Sequence, residues 1–488
     1  MKKIWFIIIF ASASLSLLAQ GSYEAFRFSQ IDYMGTARYL GAGGAFGATG
    51  GEFSALSYNP AAIGLFKRHE VSFTPMTLSF IKDNTLYNGT NSYTQNPKYT
   101  VNQCGLVIAN PIADSEWRTW QFAFGYNRIM DFNNTFRVQG PNHSSFIDPI
   151  IASSNGTPFQ NLTYDGDIAW DSWLLDTIRG SNFLYRSPFH DKDLEQTAVI
   201  RQSGAIDEMT FTFGGNYNDK LYIGGGIGIP FLNYTERTSY SEKASNGMAL
   251  DGITDYSVIT HQSDQGCGIN AKLGIIYQPI NFLRINLAIQ TPTYYWKIKD
   301  SYTRDMISYW NQAETKIGSY DSYYNFTLTT PFRFNAGLSF IINKRAFIDA
   351  EYEMNDYGMA TLLANDYSFT SENEDIRNRY GICHSLRVGG EVNLSSHFAL
   401  RAGYNFKSSP YLKPTETNSA AINATAHYCS IGFGFRSKVF FADLAYVLKY
   451  STDAYTLYDC SYSGSNCNTT AEIKNTTHRV VATIGCKF

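Results

Sequence analysis

Asp349, Glu351 and Glu353 occupy alternate positions of AFIDAEYEMND, and three carboxyl groups so close together invite an enzymatic reading. Paired carboxylates can divide acid and base roles when their surroundings push their pKa values apart. A hydrolase would also need a serine, a histidine and an orienting partner in one place, and nothing in the spacing supplies that trio. Alternate positions of a strand share one face, and Arg333, Arg387 and Arg401 fall on the corresponding face of nearby segments. The pattern predicts an ion-pair network in an enclosed space, where each charge offsets the desolvation of its partner. No catalytic residue and no enzyme is expected.

Two further cations, Lys272 and Arg284, lie on segments with no acid on the same face. They are candidates to hold an anionic head group, since an Arg engages a carboxylate through two parallel hydrogen bonds that a Lys point charge cannot reproduce. Competing partners would be acids of the N-terminal segment, such as Glu52. The eight histidines are scattered without an i,i+4 pair, and no Cys-x-x-Cys occurs, so spacing predicts no metal and no cofactor. A haem held between two lumenal or loop histidines would escape such rules. GGGIG at 224–228 continues as strand and opens no helix, which points to small residues facing a neighbouring segment. Of seven cysteines, Cys460 and Cys467 share the polar stretch YDCSYSGSNCN, where an exported protein would form a local disulfide. Cys104, Cys267, Cys429 and Cys486 fall in strand patterns and read as small apolar side chains.

The elements that must position these groups are strands. Trp120, Phe122, Phe124 and Tyr126 alternate with Gln121, Ala123, Gly125 and Asn127, and the final HRVVATIGCKF divides the same way. Such segments are expected near 69–82, 98–110, 117–131, 205–217, 220–237, 263–278, 281–297, 326–342, 345–357, 383–394, 397–407, 424–436, 438–450 and 477–488. That makes fourteen, and the connections alternate between short (NPIADSE, ND, QP, INK, SS, SK) and long. Even count and strict parity of turns are the signature of a closed antiparallel transmembrane barrel. Three stretches show a face free of charge: Phe332, Phe334, Ala336, Leu338 and Phe340; Leu386, Val388, Gly390 and Val392; and Phe440, Ala442, Leu444 and Tyr446. Charges keep to the other face: Glu208, Lys272, Arg284, Arg333, Asp349, Glu351, Glu353, Arg387, Glu391, Arg401, Arg436, Asp443 and Arg479. A basic side chain turned to the bilayer midplane costs about 2–4 kcal/mol, so this partition fixes the register. Tyr and Phe number 35 and 34, and aromatics at strand ends such as Trp117, Trp120, Tyr294, Tyr295 and Trp296 suit interfacial girdles.

Residues 1–19, MKKIWFIIIFASASLSLLA, read as a cleaved secretory signal. After them no run reaches 18 apolar residues, so no helical span is expected, and a net charge of −3 offers no ground for a nucleic-acid partner. Residues 20–66 end in GTARYLGAGGAFGATGGEFSALSYNPAAIGLF. Their glycines permit sharp turns and close backbone approach, while Tyr39, Phe46, Phe53, Leu56 and Ile63 have no use in a linker. A plug within the lumen is expected there, ahead of a barrel over 67–488. The longest loop, about 132–204, contains DIAWDSWLLDTI, whose Trp170, Trp173, Leu174 and Ile178 stand at near-helical spacing.

A signal peptide, a Gly-rich segment ending in Asn59-Pro60-Ala61, fourteen strands and a terminal Phe488 together resemble the FadL/TodX-type outer-membrane transporters of long-chain fatty acids and hydrophobic compounds. The resemblance spans the mature chain, and LTTPFRFNAGLSFIINKRAFIDAEYEMNDY at 328–357 looks like the family's paired strands late in the barrel. It implies an N-terminal hatch carrying Gly41, Gly43, Gly44, Asn59, Pro60 and Ala61. It also implies a hydrophobic landing site on an outer loop, here Trp170, Trp173 and Leu174, and passive uptake with no covalent chemistry. Phe488 resembles the signal read by the barrel-assembly machinery. The partners implied are a small hydrophobic ligand and outer-membrane lipid, in a Gram-negative bacterium. The alternative is a barrel that has lost transport and serves assembly or adhesion at the cell surface through its loops; a lumen packed with charge would favour it.

Overall fold

The computed structural model describes residues 21–488 except 163, 311–312, 344, 413–422 and 459–468. Residues 1–19, and the Cys460 and Cys467 for which a disulfide is expected, lie outside the described residues.

Fourteen antiparallel strands close on themselves. They are β1 (Glu70–Tyr87), β2 (Thr90–Thr100, resuming as Gln103–Pro111), β3 (Trp117–Asp131, resuming as Asn134–Asn142), β4 (Leu194–Tyr217), β5 (Leu221–Ala244), β6 (Ile253–Ile280) and β7 (Leu283–Gln290, resuming as Tyr294–Trp310). The circuit continues through β8 (Ala313–Thr329, resuming as Arg333–Ile342), β9 (Ala346–Asp356), β10 (Ile382–Asn393), β11 (Phe398–Lys407), β12 (Ala426–Arg436), β13 (Phe440–Thr456) and β14 (Thr470–Lys487). β14 pairs back on β1, from Glu70↔Lys487 to Leu86↔Glu472, and leaves no edge. The expected count, parity and short turns are all present.

The strands run well beyond their expected ends. Instead of a loop between 82 and 98, β1 and β2 continue as a hairpin turned by Asn88 and Gly89, whose φ angles are 45° and 83°. That is the two-residue turn an Asn-Gly dipeptide encodes. The loop expected over 132–204 shrinks to 143–193, because Asn134–Asn142 pairs with the extended start of β4. β7 and β8 are both interrupted at a proline, Pro292 and Pro331, which has no N–H for the ladder. The Thr293 N–H donates to Thr330 Oγ1 at 2.9 Å and stitches the two breaks together.

The outside of the wall is apolar. Phe211, Ile227, Leu273, Leu287, Leu338, Leu386, Leu400, Ile431 and Leu444 are all exposed on it, whereas every charge assigned to the inward face points into the barrel. Among the described residues no helix is long and apolar enough to cross a membrane. Beyond the apolar belt the extended strands and the 143–193 loop enclose a second core, with Ile147, Leu174, Leu194, Tyr240, Tyr256 and Met306 buried together.

Candidate functional site

Residues 21–66 lie against inward-facing positions of strands on all sides. Helix α1 (Ser22–Ser29) is followed by α2 (Ala37–Gly41) and two 3-10 turns, Ser54–Ser57 and Pro60–Leu65. Thr36 starts α2 by accepting the Tyr39 N–H at 3.1 Å. The segment meets the wall where the wall has no side chains. A Cβ on Gly41 would lie 3.1 Å from Gly432 Cα, and one on Gly43 3.1 Å from Gly403 Cα. Gly43 and Gly44 hold φ of 68° and 74°, the left-handed region where glycine is unstrained.

Asn59 is wholly buried. Its Nδ2 donates to the Gly47 carbonyl at 2.8 Å, and its Oδ1 accepts from Ala61 N at 3.0 Å. Pro60 follows at the first position of the 3-10 turn, and its carbonyl rests on Gly224 of β5. Gly224 is therefore a seat for this segment, whereas Gly226 and Gly228 meet Thr212 and Glu208 of β4.

Polar ties complete the fit. Thr49 N and Oγ1 both donate to Asp349 Oδ2, at 2.8 and 2.7 Å, and Gly47 N donates to Glu351. Arg387 pairs with Glu353 at 2.6 Å and Glu351 at 3.6 Å, donates to Tyr39 Oη at 3.2 Å, and lies 4.6 Å over the Tyr58 ring. Arg401 is held by Glu391 and Asp443, each at 2.6 Å, and Glu391 also takes Arg38 of α2 at 2.9 Å. Higher in the lumen Asp32 faces Arg479 at 3.2 Å and accepts from Tyr428 Oη at 2.7 Å. Arg333 differs from its expected role: it donates to Gln290 and lies 6.0 Å over Tyr58.

The head-group assignment needs correction at Lys272, which is buried in an ion pair with Glu208. The partner was not on its own strand. Glu208 belongs to β4 and Lys272 to β6, and Glu208 reaches across β5 at Gly228, where any Cβ would collide with it. Arg284 has no carboxylate within salt-bridge distance among the described residues. It donates to the Thr49 carbonyl at 2.8 Å and to Gln278 at 3.0 Å. Its tie to the N-terminal segment runs through a backbone carbonyl; Glu52 instead accepts from Thr36 and Ala55 N.

Around α1 the lumen is aromatic. Phe26 stacks on Tyr380 at 4.4 Å, Phe28 meets Tyr234 edge-on at 5.5 Å, and Arg27 lies 4.4 Å from the Tyr23 and Tyr234 rings while pairing with Glu236 at 3.1 Å. Lower down, between α2 and the wall, remains a cavity of about 20 Å³ lined by Arg38, Glu52, Glu70, Arg436 and Asp443 among others.

The outer loop departs from its expected form. Helix α3 spans only Asp165–Asp171, and Trp173 has a φ of 60°, which ends the helix before it. The three residues proposed to act together are thereby separated. Trp170 stacks on Phe159 at 5.1 Å, Trp173 is 64% exposed and meets Trp310 edge-on, and Leu174 is 0% exposed within the outer core. Exposed apolar side chains gather instead on a small hairpin, where Ile178, Phe183 and Leu184 stand open to solvent. Its signal in the sequence is the run SNFLYR, which is too short to show helical spacing.

No family model matches the chain, and no curated protein matches it in sequence. Among solved structures, a FadL homologue of Pseudomonas aeruginosa is 14% identical with a TM-score of 0.56, covering 93% of this chain and 98% of that one. The toluene transporter TodX of P. putida is 12% identical with a TM-score of 0.52, covering 93% and 99%. The Ralstonia pickettii toluene transporter TbuX is 14% identical with a TM-score of 0.52, covering 93% and 98%. At such identities the likeness establishes the fold, over nearly the whole length of each chain.

Proposed function

We propose that this protein is an outer-membrane barrel, exported by a cleaved signal, that lets hydrophobic small molecules pass inward, with residues 20–66 as its hatch and no covalent chemistry. The observation that supports this most is a segment seated in the lumen of a closed fourteen-stranded barrel whose fold is shared with a FadL homologue and two toluene transporters. Long-chain fatty acids are the proposed substrate and aromatic hydrocarbons the next class. Capture begins at Trp173 and the neighbouring Ile178, Phe183 and Leu184, which offer apolar surface beyond the membrane belt. The aromatic lining around α1 then provides a chamber that α1 fills in this state. Phe488, with its ring exposed at the lower rim, is proposed as the handle for barrel assembly.

The glycine contacts support a hatch that moves. Backbone against backbone, as at Gly41 and Gly432, lets the segment slide without unlocking interdigitated side chains. The ion pairs that cross from the segment to the wall, Arg38 with Glu391 and Asp32 with Arg479, pull the other way, and they favour a second reading in which the segment is fixed and the barrel serves assembly or adhesion at the surface. Equilibrium binding separates the two. The transport reading expects a detergent-free preparation of the barrel to bind a long-chain fatty acid with micromolar affinity, roughly −8 kcal/mol. If neither fatty acid nor toluene binds a barrel shown to be folded, the second reading takes its place.

A further inference from the structure

On three consecutive hairpins of the outer wall the same two side chains meet at the same height. Tyr352 Oη lies 2.7 Å from His384 Nδ1, Tyr404 Oη 2.7 Å from His427 Nδ1, and Tyr446 Oη 2.7 Å from His478 Nδ1. Each tyrosine stands six residues above the start of its strand, at Ala346, Phe398 or Phe440. Each histidine stands nine residues above the end of the next strand, at Asn393, Arg436 or Lys487. Their chain neighbours Glu351, Cys383, Asn405, Tyr428, Val447 and Arg479 are buried, so all six side chains take the outward parity. Directly below the row the outward wall is hydrocarbon: Leu386, Leu400, Ile431, Leu444.

The height has a physical meaning. Tilted strands rise roughly 2.5 Å per residue along the barrel axis, which sets the imidazoles roughly 20 Å above the short turns, near the upper edge of an apolar belt about 25 Å tall. When a tyrosine hydroxyl donates to Nδ1, the imidazole hydrogen is placed on Nε2. Each pair then presents an N–H donor away from the sheet, into a medium that must supply the acceptor, because an unmet polar group in hydrocarbon is costly. Consecutive hairpins, two strands each, repeat about every 10 Å around the wall. Phosphate oxygens are the strongest acceptors at a lipid boundary, since a hydrogen bond to an ionised acceptor is shorter and stronger than a neutral one.

We propose that the three Tyr–His pairs form a docking row for the phosphate-bearing headgroup of an outer-leaflet lipid, on the face made by β9 to β14. The inference rests on the outer-membrane placement proposed above and is independent of transport. The test uses the purified full-length barrel and bis-phosphorylated lipid A as probe, with dephosphorylated lipid A as the control, and counts retained lipid by native mass spectrometry. Wild type should retain the phosphorylated probe at least fivefold better than the control. Replacing all three histidines by phenylalanine (H384F, H427F, H478F) should abolish that preference, whereas H384Q, H427Q and H478Q together, which keep an N–H donor, should retain most of it. Heat-modifiable gel migration reports folding for each variant, and should the phenylalanine protein fail to fold, Y352F, Y404F and Y446F together test the same row by releasing Nδ1. Equal retention of the two lipids by wild type, or an undiminished preference in the folded phenylalanine variant, overturns the proposal. Toluene or fatty-acid binding should be unaltered throughout, so this row can fail while the transport reading stands, and the reverse.

Discussion

The carboxamide oxygen of Asn59 occupies the space in which any side chain on Gly274 of β6 would have to begin. This one relationship fixes the height of the N-terminal segment in the lumen, because the same Asn59 binds Gly47 and Ala61 and cannot step aside without releasing both.

Gly274→Ala should therefore displace the Asn59-Pro60-Ala61 turn while leaving the barrel closed, at a cost of about 1–3 kcal/mol, the usual range for an overpacked core. Heat-modifiable migration should survive, and added protease should cut within residues 47–66 of the variant faster than in wild type. Unchanged protection would mean that the turn is not held by that contact.

Arg387→Met removes the cation shared by Glu351 and Glu353 and leaves both carboxylates buried near one another. Breaking a buried pair from one side costs about 3–5 kcal/mol. The expected outcome is a lower urea midpoint, partly restored by adding Glu353→Gln; a double variant as weak as the single one would contradict the pairing.

Arg284→Met removes the hydrogen bond that ties the wall to the Thr49 carbonyl of the N-terminal segment. Loss of that tie should loosen the segment and alter fatty-acid and toluene binding alike. A selective loss of fatty-acid binding would restore the head-group role.

Above the membrane, Glu242 accepts from Ser145 Oγ at 2.6 Å, Phe146 N at 2.8 Å and Gln196 Nε2 at 2.9 Å, and burial lifts its carboxyl above the usual range. A carboxyl raised in the folded state holds its proton better there than in the unfolded chain. Its stabilising effect is complete below the ordinary glutamate value, about 4.3, and is lost as pH rises through the raised one. Amide exchange across residues 143–154 should accordingly quicken, beyond its intrinsic dependence, as pH increases through that window, and Glu242→Gln should flatten the profile.

Within the loop, Trp173→Ser with Phe183→Ser should weaken capture of a hydrophobic ligand without changing the denaturation midpoint, since both side chains are exposed. Leu174→Ala should do the opposite, costing about 2–5 kcal/mol of local stability as a buried leucine truncated in a core does. Titration with a fatty acid and local exchange rates distinguish the two effects.

What the sequence revealed follows the solvent on each side of the wall. Where one face meets lipid and the other the lumen, alternation is strict, so the register of strands such as Arg333–Ile342 and the inward charges could be read residue by residue. Past the membrane the segment Thr90–Thr100 buries no residue before Thr100, and its sequence TNSYTQNPKYT shows no apolar alternation although it is a strand. Only Asn88-Gly89 marked its hairpin. Lys272 and Glu208 were separated by an intervening strand, and only the barrel brings them together through the gap at Gly228. The helix expected through Leu174 stops because Trp173 turns left-handed, a choice made by packing on Trp310 that periodicity does not contain.

The central claim is that hydrophobic molecules cross this barrel past its N-terminal segment. The most direct measurement is uptake of a long-chain fatty acid or toluene into vesicles carrying the folded protein. Saturable entry above protein-free vesicles, accelerated by Gly274→Ala, is the predicted result. Entry no faster than through bare vesicles, for both ligands and for both wild type and variant, would contradict it.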